Sequence, residues 1–125
     1  MRAYEVQAEL LKTLSHPTRL AVLQILRDGE QCVCHLEAML RVRQAGLSQQ
    51  LMVLRQAGLV AVRREGLNIY YRVSRPGVFR LLDAANAAAG TSRKPVIHRH
   101  GATSCPCPKC ATEGTPRLMG EHIAR

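Results

Sequence analysis

Large aromatic side chains are scarce in this sequence, which has no tryptophan, one phenylalanine and three tyrosines in 125 residues. Leucine, valine, isoleucine and alanine must therefore supply most of the hydrophobic core. A chain of this length fits one domain, although a domain so small buries only about two-thirds of its unfolded surface. We therefore expect a modest, aliphatic core.

Acidic residues are also few, because nine aspartates and glutamates stand against 18 lysines and arginines, for a formal net charge of +9. A small basic domain most often binds a polyanion, and nucleic acid before membrane. No apolar run approaches the roughly 18 to 20 residues needed to span a bilayer, and no signal-peptide core follows the N-terminus. We therefore expect a cytoplasmic protein with no membrane partner.

The five cysteines fall into two tight groups, Cys32-Val33-Cys34 and Cys105-Pro106-Cys107-Pro108-Lys109-Cys110. In the reducing cytoplasm such groups more often bind metal or do redox work than form structural disulfides, and an odd count cannot pair completely within one chain. A thiolate is both a nucleophile and a soft metal ligand. Both groups are therefore candidate sites.

Hydrophobic periodicity predicts a mainly α fold with one small β-hairpin. The predicted helices are Tyr4 to Leu14, Pro17 to about Leu26, Cys32 to Leu40, Gln44 to Ala57 and Val78 to Ala89, and the hairpin strands are Leu59 to Arg64 and Ile69 to Ser74. Beyond Gly90 the composition shifts to small, polar and basic residues. We predict one domain over residues 1–90 and a mobile, cysteine-containing tail over residues 91–125.

Two short helices joined by a tight turn, with a basic hairpin after the second, predict a winged helix-turn-helix. A helix fits the major groove and presents its first turns to base edges, while the wing reaches the phosphates. The alternative is a small helical domain whose polar face is merely solvated. The predicted base-reading residues are Gln44, Ser48 and Gln49, and the predicted phosphate contacts are Arg41, Arg43, Arg63 and Arg64.

Four stretches resemble the ArsR/SmtB family of metal-responsive repressors: Leu14 to Leu23, Cys32 to Cys34, Leu47 to Val60, and Arg63 to Val73. The resemblance covers roughly residues 4–89. It implies a homodimeric winged-helix repressor whose first and last helices form the dimer interface and which leaves its operator when an inducer binds. Since a C2 dimer presents two reading helices about one helical turn apart, we expect an inverted-repeat operator.

In this family a Cys-x-Cys at the start of the third helix is typical of members that respond to trivalent arsenic and antimony. The resemblance therefore implies that Cys32 and Cys34 are inducer ligands. Such members often carry a third cysteine where this chain has Glu37, so the third ligand comes from elsewhere or the site stays two-coordinate. Residues two apart on an ideal helix point to nearly opposite faces, so we expect binding to distort the first turn. The alternative is that Cys32 is simply a buried small side chain.

The tail cluster of Cys105, Cys107 and Cys110 has two prolines that prevent a helix and keep its chain extended. Its three thiols can converge on one soft ion. They match the pyramidal preference of trivalent arsenic, and with His98 or His100 they equally make a Cys3His zinc site. Both interpretations stay open, as does the absence of any specific role.

Three function classes compete. The first is a repressor induced by trivalent arsenic or antimony. The second is a thiol redox or persulfide sensor, or a zinc or cadmium sensor, on the same fold. Against the redox sensor, the helical spacing of Cys32 and Cys34 makes a direct disulfide awkward. Against the metal sensor, the last helix offers only Asp83 and Asn86 for a divalent metal. The third is a thiol oxidoreductase. This sequence has no Cys-x-x-Cys at the head of a βαβ unit, as such an enzyme would need. We expect a repressor rather than an enzyme.

Overall fold

The computed structural model describes residues 1–91, which form five helices and a small antiparallel sheet. The elements are α1 (Arg2–Leu14), α2 (Pro17–Leu26), β1 (Gln31–Cys32), α3 (Val33–Leu40), α4 (Gln44–Gln56), β2 (Val60–Glu65), β3 (Asn68–Val73) and α5 (Gly77–Ala89). The predicted mainly helical class with a hairpin is confirmed. The predicted tail cluster of Cys105, Cys107 and Cys110 lies outside the described residues.

The helix boundaries follow local sequence signals. His16 is the N-cap of α2, where its Nδ1 accepts a hydrogen bond from the backbone N–H of Thr18 at 3.2 Å, and Pro17 occupies the first helical position. Helix α4 begins at Gln44 as predicted, although Gly46 lies inside it.

Side chains of α2 and α4 supply the centre of the core. Leu47, Leu51 and Leu54 of α4 are completely or almost completely buried, as the helical periodicity predicts. The remaining buried apolar residues of this cluster are Leu14, Val22, Leu23, Ile25, Leu26, Leu36, Leu59, Val60, Val78 and Leu82. Because the core contains no phenylalanine, tyrosine or tryptophan among these buried residues, it is the aliphatic core that the composition predicts.

The sheet has the order β1-β3-β2 and differs from the predicted hairpin in two ways. The predicted strands leave a turn over residues 65–68, whereas the observed turn has two residues, Gly66 and Leu67, because Glu65 pairs with Asn68. Gly66 supplies the positive φ of +60° that such a turn needs. Strand β1 was not predicted, since two residues are too few to show a period. Its pairing brings Cys32 opposite Tyr70 of β3.

Within residues 1–91, no helix is both long enough and apolar enough to cross a bilayer.

Candidate functional site

The N-terminal half of α4 presents polar side chains to solvent. Gln44, Ser48 and Gln49 are exposed, whereas Leu47 on the opposite side is buried. Because Gln44, Ser48 and Gln49 are the predicted base-reading residues, we call this exposed set the reading face. Amide and hydroxyl groups on one exposed helical face can donate to and accept from base edges.

Arg19 of α2 forms hydrogen bonds that connect α4 to α1. The Nε of Arg19 donates to the Oε1 of Gln50 at 2.7 Å, and one of its Nη atoms donates to the backbone oxygen of Thr13 at 2.8 Å. One guanidinium thus joins α4 to the end of α1 through α2. The reading face is therefore carried on a helix with fixed neighbours.

The turn before α4 exposes two arginines. Arg41 adopts the left-handed conformation, with a φ of +55°, and its backbone N–H donates to the oxygen of Glu37 at 2.8 Å. Arg43 is the N-cap residue of α4 and is also exposed. Positive φ is uncommon for a residue other than glycine. Arg41 and Arg43 flank the N-terminus of α4, where phosphate contacts are predicted.

The two arginines of the wing have different environments. Arg64 is exposed, whereas Arg63 donates to Glu30 through Nε at 3.0 Å and Nη2 at 2.8 Å and also pairs with Glu65. The Cζ of Arg63 lies 4.6 Å from the ring centre of Tyr70. Hydrogen bonds with Glu30 and then Glu65 raise the pKa of Arg63 above its ordinary value. Arg63 is thus engaged within the fold, and phosphate contact by either arginine stays a prediction.

The sulfur atoms of Cys32 and Cys34 lie 2.8 Å apart. Cys32 is extended, lies in β1 and is the N-cap of α3, where its Sγ accepts a hydrogen bond from the backbone N–H of His35 at 3.3 Å. Cys34 lies in the first turn of α3. The expectation that the two side chains point to opposite faces was wrong, because Cys32 precedes the helix and its side chain folds back over the first turn.

This geometry changes one inference from the spacing. The sulfurs of Cys32 and Cys34 lie close together while the first turn of α3 is intact, so their closeness does not itself require that turn to unwind. Cys32 is only 1% exposed, so it is buried as the alternative interpretation required. Cys32 is therefore both buried and close to the sulfur of Cys34.

Tyr70 covers the thiol pair from β3. It is 3% exposed and forms a small separate cluster with Cys32, against which Cys34 packs. We call Cys32, Cys34 and Tyr70 the thiol corner. Sequence reasoning missed Tyr70 because its contact with the thiols depends on the β1–β3 register, and no pattern in the sequence predicts β1.

The described residues provide the thiol pair with no third ligand. Among residues 1–91, no group of three or more histidine, cysteine, aspartate or glutamate side chains is arranged to hold a metal ion. One carboxylate oxygen of Glu37, at the position of the third cysteine, is buried and accepts no hydrogen bond within this part of the chain. On α5, Asp83 pairs with Arg27 at 2.9 Å.

Comparison with known sequences points to one family. Residues 16–62 match the model described as bacterial regulatory protein, arsR family. Over 86 residues, covering 69% of this chain and 73% of the relative, the sequence is 52% identical to the biofilm growth-associated repressor of Agrobacterium fabrum.

Solved structures show the same architecture. Rv0081 of Mycobacterium tuberculosis is 36% identical, with a TM-score of 0.65 over 72% of this chain and 91% of that one. The homodimeric winged helix-turn-helix DNA-binding domain Mb0332 of Mycobacterium bovis is 30% identical, with a TM-score of 0.63 over 71% of this chain and 82% of that one. The predicted winged helix-turn-helix is confirmed, with α4 as its second helix and the β2–β3 hairpin as its wing.

Proposed function

The chain belongs to the arsR family of bacterial regulatory proteins, and from this premise we propose a homodimeric repressor that trivalent arsenic or antimony releases from its operator. Members of this family are DNA-binding transcriptional regulators, not enzymes. We assign inducer binding to Cys32 and Cys34 and DNA reading to the N-terminal half of α4.

The distance of 2.8 Å between the sulfurs of Cys32 and Cys34 is the observation that carries the inducer assignment. Two cysteine sulfurs this close can bind one soft, thiophilic ion together when both are thiolates. The pair lies at the N-terminus of α3, the helix that precedes the turn into α4. A ligand at this position therefore acts next to the helices that present the reading face.

The chemistry of binding requires no oxidant. Arsenous acid carries three hydroxyl groups, and each of the two thiols gives its proton to one of them, which leaves as water. Two sulfur–arsenic bonds replace two oxygen–arsenic bonds, and no electron is transferred. A third sulfur from Cys105, Cys107 or Cys110, or from a small thiol in solution, would replace the remaining hydroxyl in the same way.

Dimerisation is supported by the composition of α1. Its apolar residues Tyr4, Val6 and Leu11 are more than half exposed in the single chain, although they lie on an amphipathic helix. Exposed apolar residues on one helix indicate a surface that another protein covers. The homodimeric relative Mb0332 supports a second copy of this chain as that protein.

The operator follows from the dimer. Two reading helices related by a two-fold axis contact half-sites about one helical turn apart, in opposite orientations. Selection from random duplexes by the full-length protein should therefore enrich an inverted repeat, and this DNA serves as the operator in the experiments below.

A thiol redox or persulfide sensor is the second candidate, because the same 2.8 Å contact places the two sulfurs of Cys32 and Cys34 within easy reach of a disulfide. Peroxide would take two electrons and two protons from the thiols, giving one S–S bond and two waters. Release of the operator by peroxide or polysulfide, with no effect of arsenite, would favour this candidate.

The test is operator binding, measured by fluorescence anisotropy during an arsenite titration. Wild type should lose affinity by about 5-fold to 150-fold, the usual range of allosteric coupling. The variant with Cys32→Ser and Cys34→Ser should stay bound, because it lacks the chelating pair. Serine at residue 32 keeps a hydrogen-bond acceptor at the N-cap, so this variant is expected to fold.

A matched control replaces the other thiols. The tail-serine variant, with Cys105→Ser, Cys107→Ser and Cys110→Ser, should still be released by arsenite, and zinc at the same concentration should have no effect on wild type. Release of the Cys32→Ser, Cys34→Ser variant by arsenite would move the sensing site to the tail.

A further inference from the structure

We propose that Tyr70 and Arg63 connect the thiol pair to the wing, so that Arg63 is a positioning residue that transmits ligand occupancy to the DNA-binding hairpin. This inference rests on the proposed thiol site, and it adds a route by which that site controls DNA affinity. The route runs across the sheet and does not require unwinding of α3.

One row of the sheet contains all three residues. Cys32 of β1 is paired with Tyr70 of β3, and Tyr70 is paired with Arg63 of β2. Residues paired across adjacent strands carry their side chains on the same face of the sheet. The thiol, the aromatic ring and the guanidinium are therefore successive neighbours on one face.

The thiol end of this row has little spare volume. Cys32 and Tyr70 are 1% and 3% exposed. Because protein interiors are close-packed, an ion bound to the two sulfurs must displace a neighbouring side chain. Tyr70 belongs to the same buried cluster as Cys32, and Cys34 packs against that cluster.

The wing end of the row depends on that ring. The guanidinium of Arg63 stacks on Tyr70 at 4.6 Å and donates two hydrogen bonds to Glu30, which lies two residues before Cys32. This arrangement ties β2 to the segment that leads into β1. Displacement of the Tyr70 ring weakens its contact with Arg63, because the attraction depends on the position of the cation over the ring face.

Loss of the contacts that Arg63 makes with Glu30 and Tyr70 affects the wing rather than the reading face. Arg63 and Arg64 are consecutive residues of β2, so their side chains leave opposite faces of the strand. The contacts of Arg63 thus fix the strand that presents Arg64 outward. Once the strand is released, Arg64 no longer has a fixed position relative to the phosphates, and operator affinity falls.

The experiment compares two substitutions in the tail-serine variant, so that Cys32 and Cys34 are the only thiols. Arg63→Met keeps the aliphatic stem and removes the guanidinium, and Arg43→Met makes the same change at the start of α4, outside the wing. For each protein we would measure arsenite affinity without DNA and operator affinity with and without saturating arsenite. The coupling ratio is the operator dissociation constant with arsenite divided by that without it.

Arg63→Met should bind arsenite within about 3-fold of the parent but show a coupling ratio near 1, against about 5 to 150 for the parent. Arg43→Met should weaken operator binding equally with and without arsenite and leave the ratio unchanged, because Arg43 lies outside the wing. A parent-like coupling ratio in Arg63→Met would overturn the proposed connection.

A second readout needs no DNA. The Nε–H resonance of Arg63 in an NMR spectrum should shift when arsenite binds the parent, and it should not shift in Cys32→Ser. An unchanged resonance in an arsenite-bound parent would also overturn the connection, because a residue that only stabilises the wing gives no such response.

Failure of the arsenic assignment would be recognised separately. If arsenite does not bind the parent, the same comparison is made with diamide, which takes two electrons and two protons from the thiols of Cys32 and Cys34 and is reduced to its hydrazine. Diamide release that depends on Arg63 supports the connection without arsenic. If neither reagent changes operator affinity in the parent, the connection is overturned.

Discussion

The reading face and the thiol corner are built in opposite ways. Gln44, Ser48 and Gln49 are exposed side chains on a helix whose other side forms the core. Cys32 and Tyr70, in contrast, are nearly inaccessible. Exposed residues can be changed with little effect on folding, whereas buried ones cannot. The difference therefore separates substitutions that alter DNA affinity from those that alter stability and induction.

The largest expected effect is on the reading face. Gln49→Ala should weaken operator binding by roughly 1 to 3 kcal/mol, about 5-fold to 150-fold, because a side-chain amide that hydrogen-bonds a base contributes that much discrimination. The thermal midpoint and the fold-release by arsenite should stay unchanged, since Gln49 is exposed. Anisotropy and thermal melts measure both quantities.

Gln56→Ala is the matched control, because Gln56 is an exposed glutamine at the other end of α4. It lies about 10 Å further along the helix axis at 1.5 Å per residue. Operator affinity should be close to that of wild type. Equal losses in the two variants would mean that the N-terminal half of α4 is not the reading face.

A smaller effect is expected in the thiol corner, and there it appears in stability. Cys32→Ala removes the N-cap acceptor for the backbone N–H of His35 and should lower the free energy of unfolding by about 1 kcal/mol. Cys32→Ser keeps an acceptor and should lose less. Denaturant unfolding of the two variants gives the difference directly.

Both variants should lose arsenite-induced release, because both lack one thiol of the pair. Cys34→Ala serves as a control for stability, since Cys34 lies inside the first turn and is not the N-cap. If Cys32→Ala unfolds at the same denaturant concentration as Cys32→Ser, the sulfur of Cys32 does not cap α3.

The smallest effect has the opposite sign. Gly46→Ala should raise the free energy of unfolding by about 0.5 to 1 kcal/mol, because alanine favours a helix interior over glycine. An added Cβ at Gly46 would meet no other atom within 4 Å. Reduced stability of Gly46→Ala in denaturant would show that the start of α4 is not the regular helix described here.

The sequence predicted the reading helix well and the thiol corner poorly, for physical reasons. Leu47, Leu51 and Leu54 repeat at helical spacing, and this period alone assigns the buried and exposed sides of α4. The start of α4 at Gln44 was predicted correctly although Gly46 follows it. Local patterns of this kind need no knowledge of tertiary contacts.

The contact between Cys32 and Cys34 depends on where the helix begins. With Cys32 inside a helix the sulfurs would lie on opposite sides, and with Cys32 as an extended N-cap they lie 2.8 Å apart. The pairing of β1 with β3 includes the extended Cys32, and it brings Tyr70 opposite Cys32. A two-residue strand carries no periodic signal, so this part of the site required the structure.

The most direct test of the thiol corner as the inducer site is the number of sulfur neighbours around bound arsenic, measured by X-ray absorption on the full-length chain and on the tail-serine variant. We expect two sulfur neighbours in the tail-serine variant, supplied by Cys32 and Cys34, and two or three in wild type. Arsenic with no sulfur neighbour in the tail-serine variant, or no binding by it, would contradict the assignment.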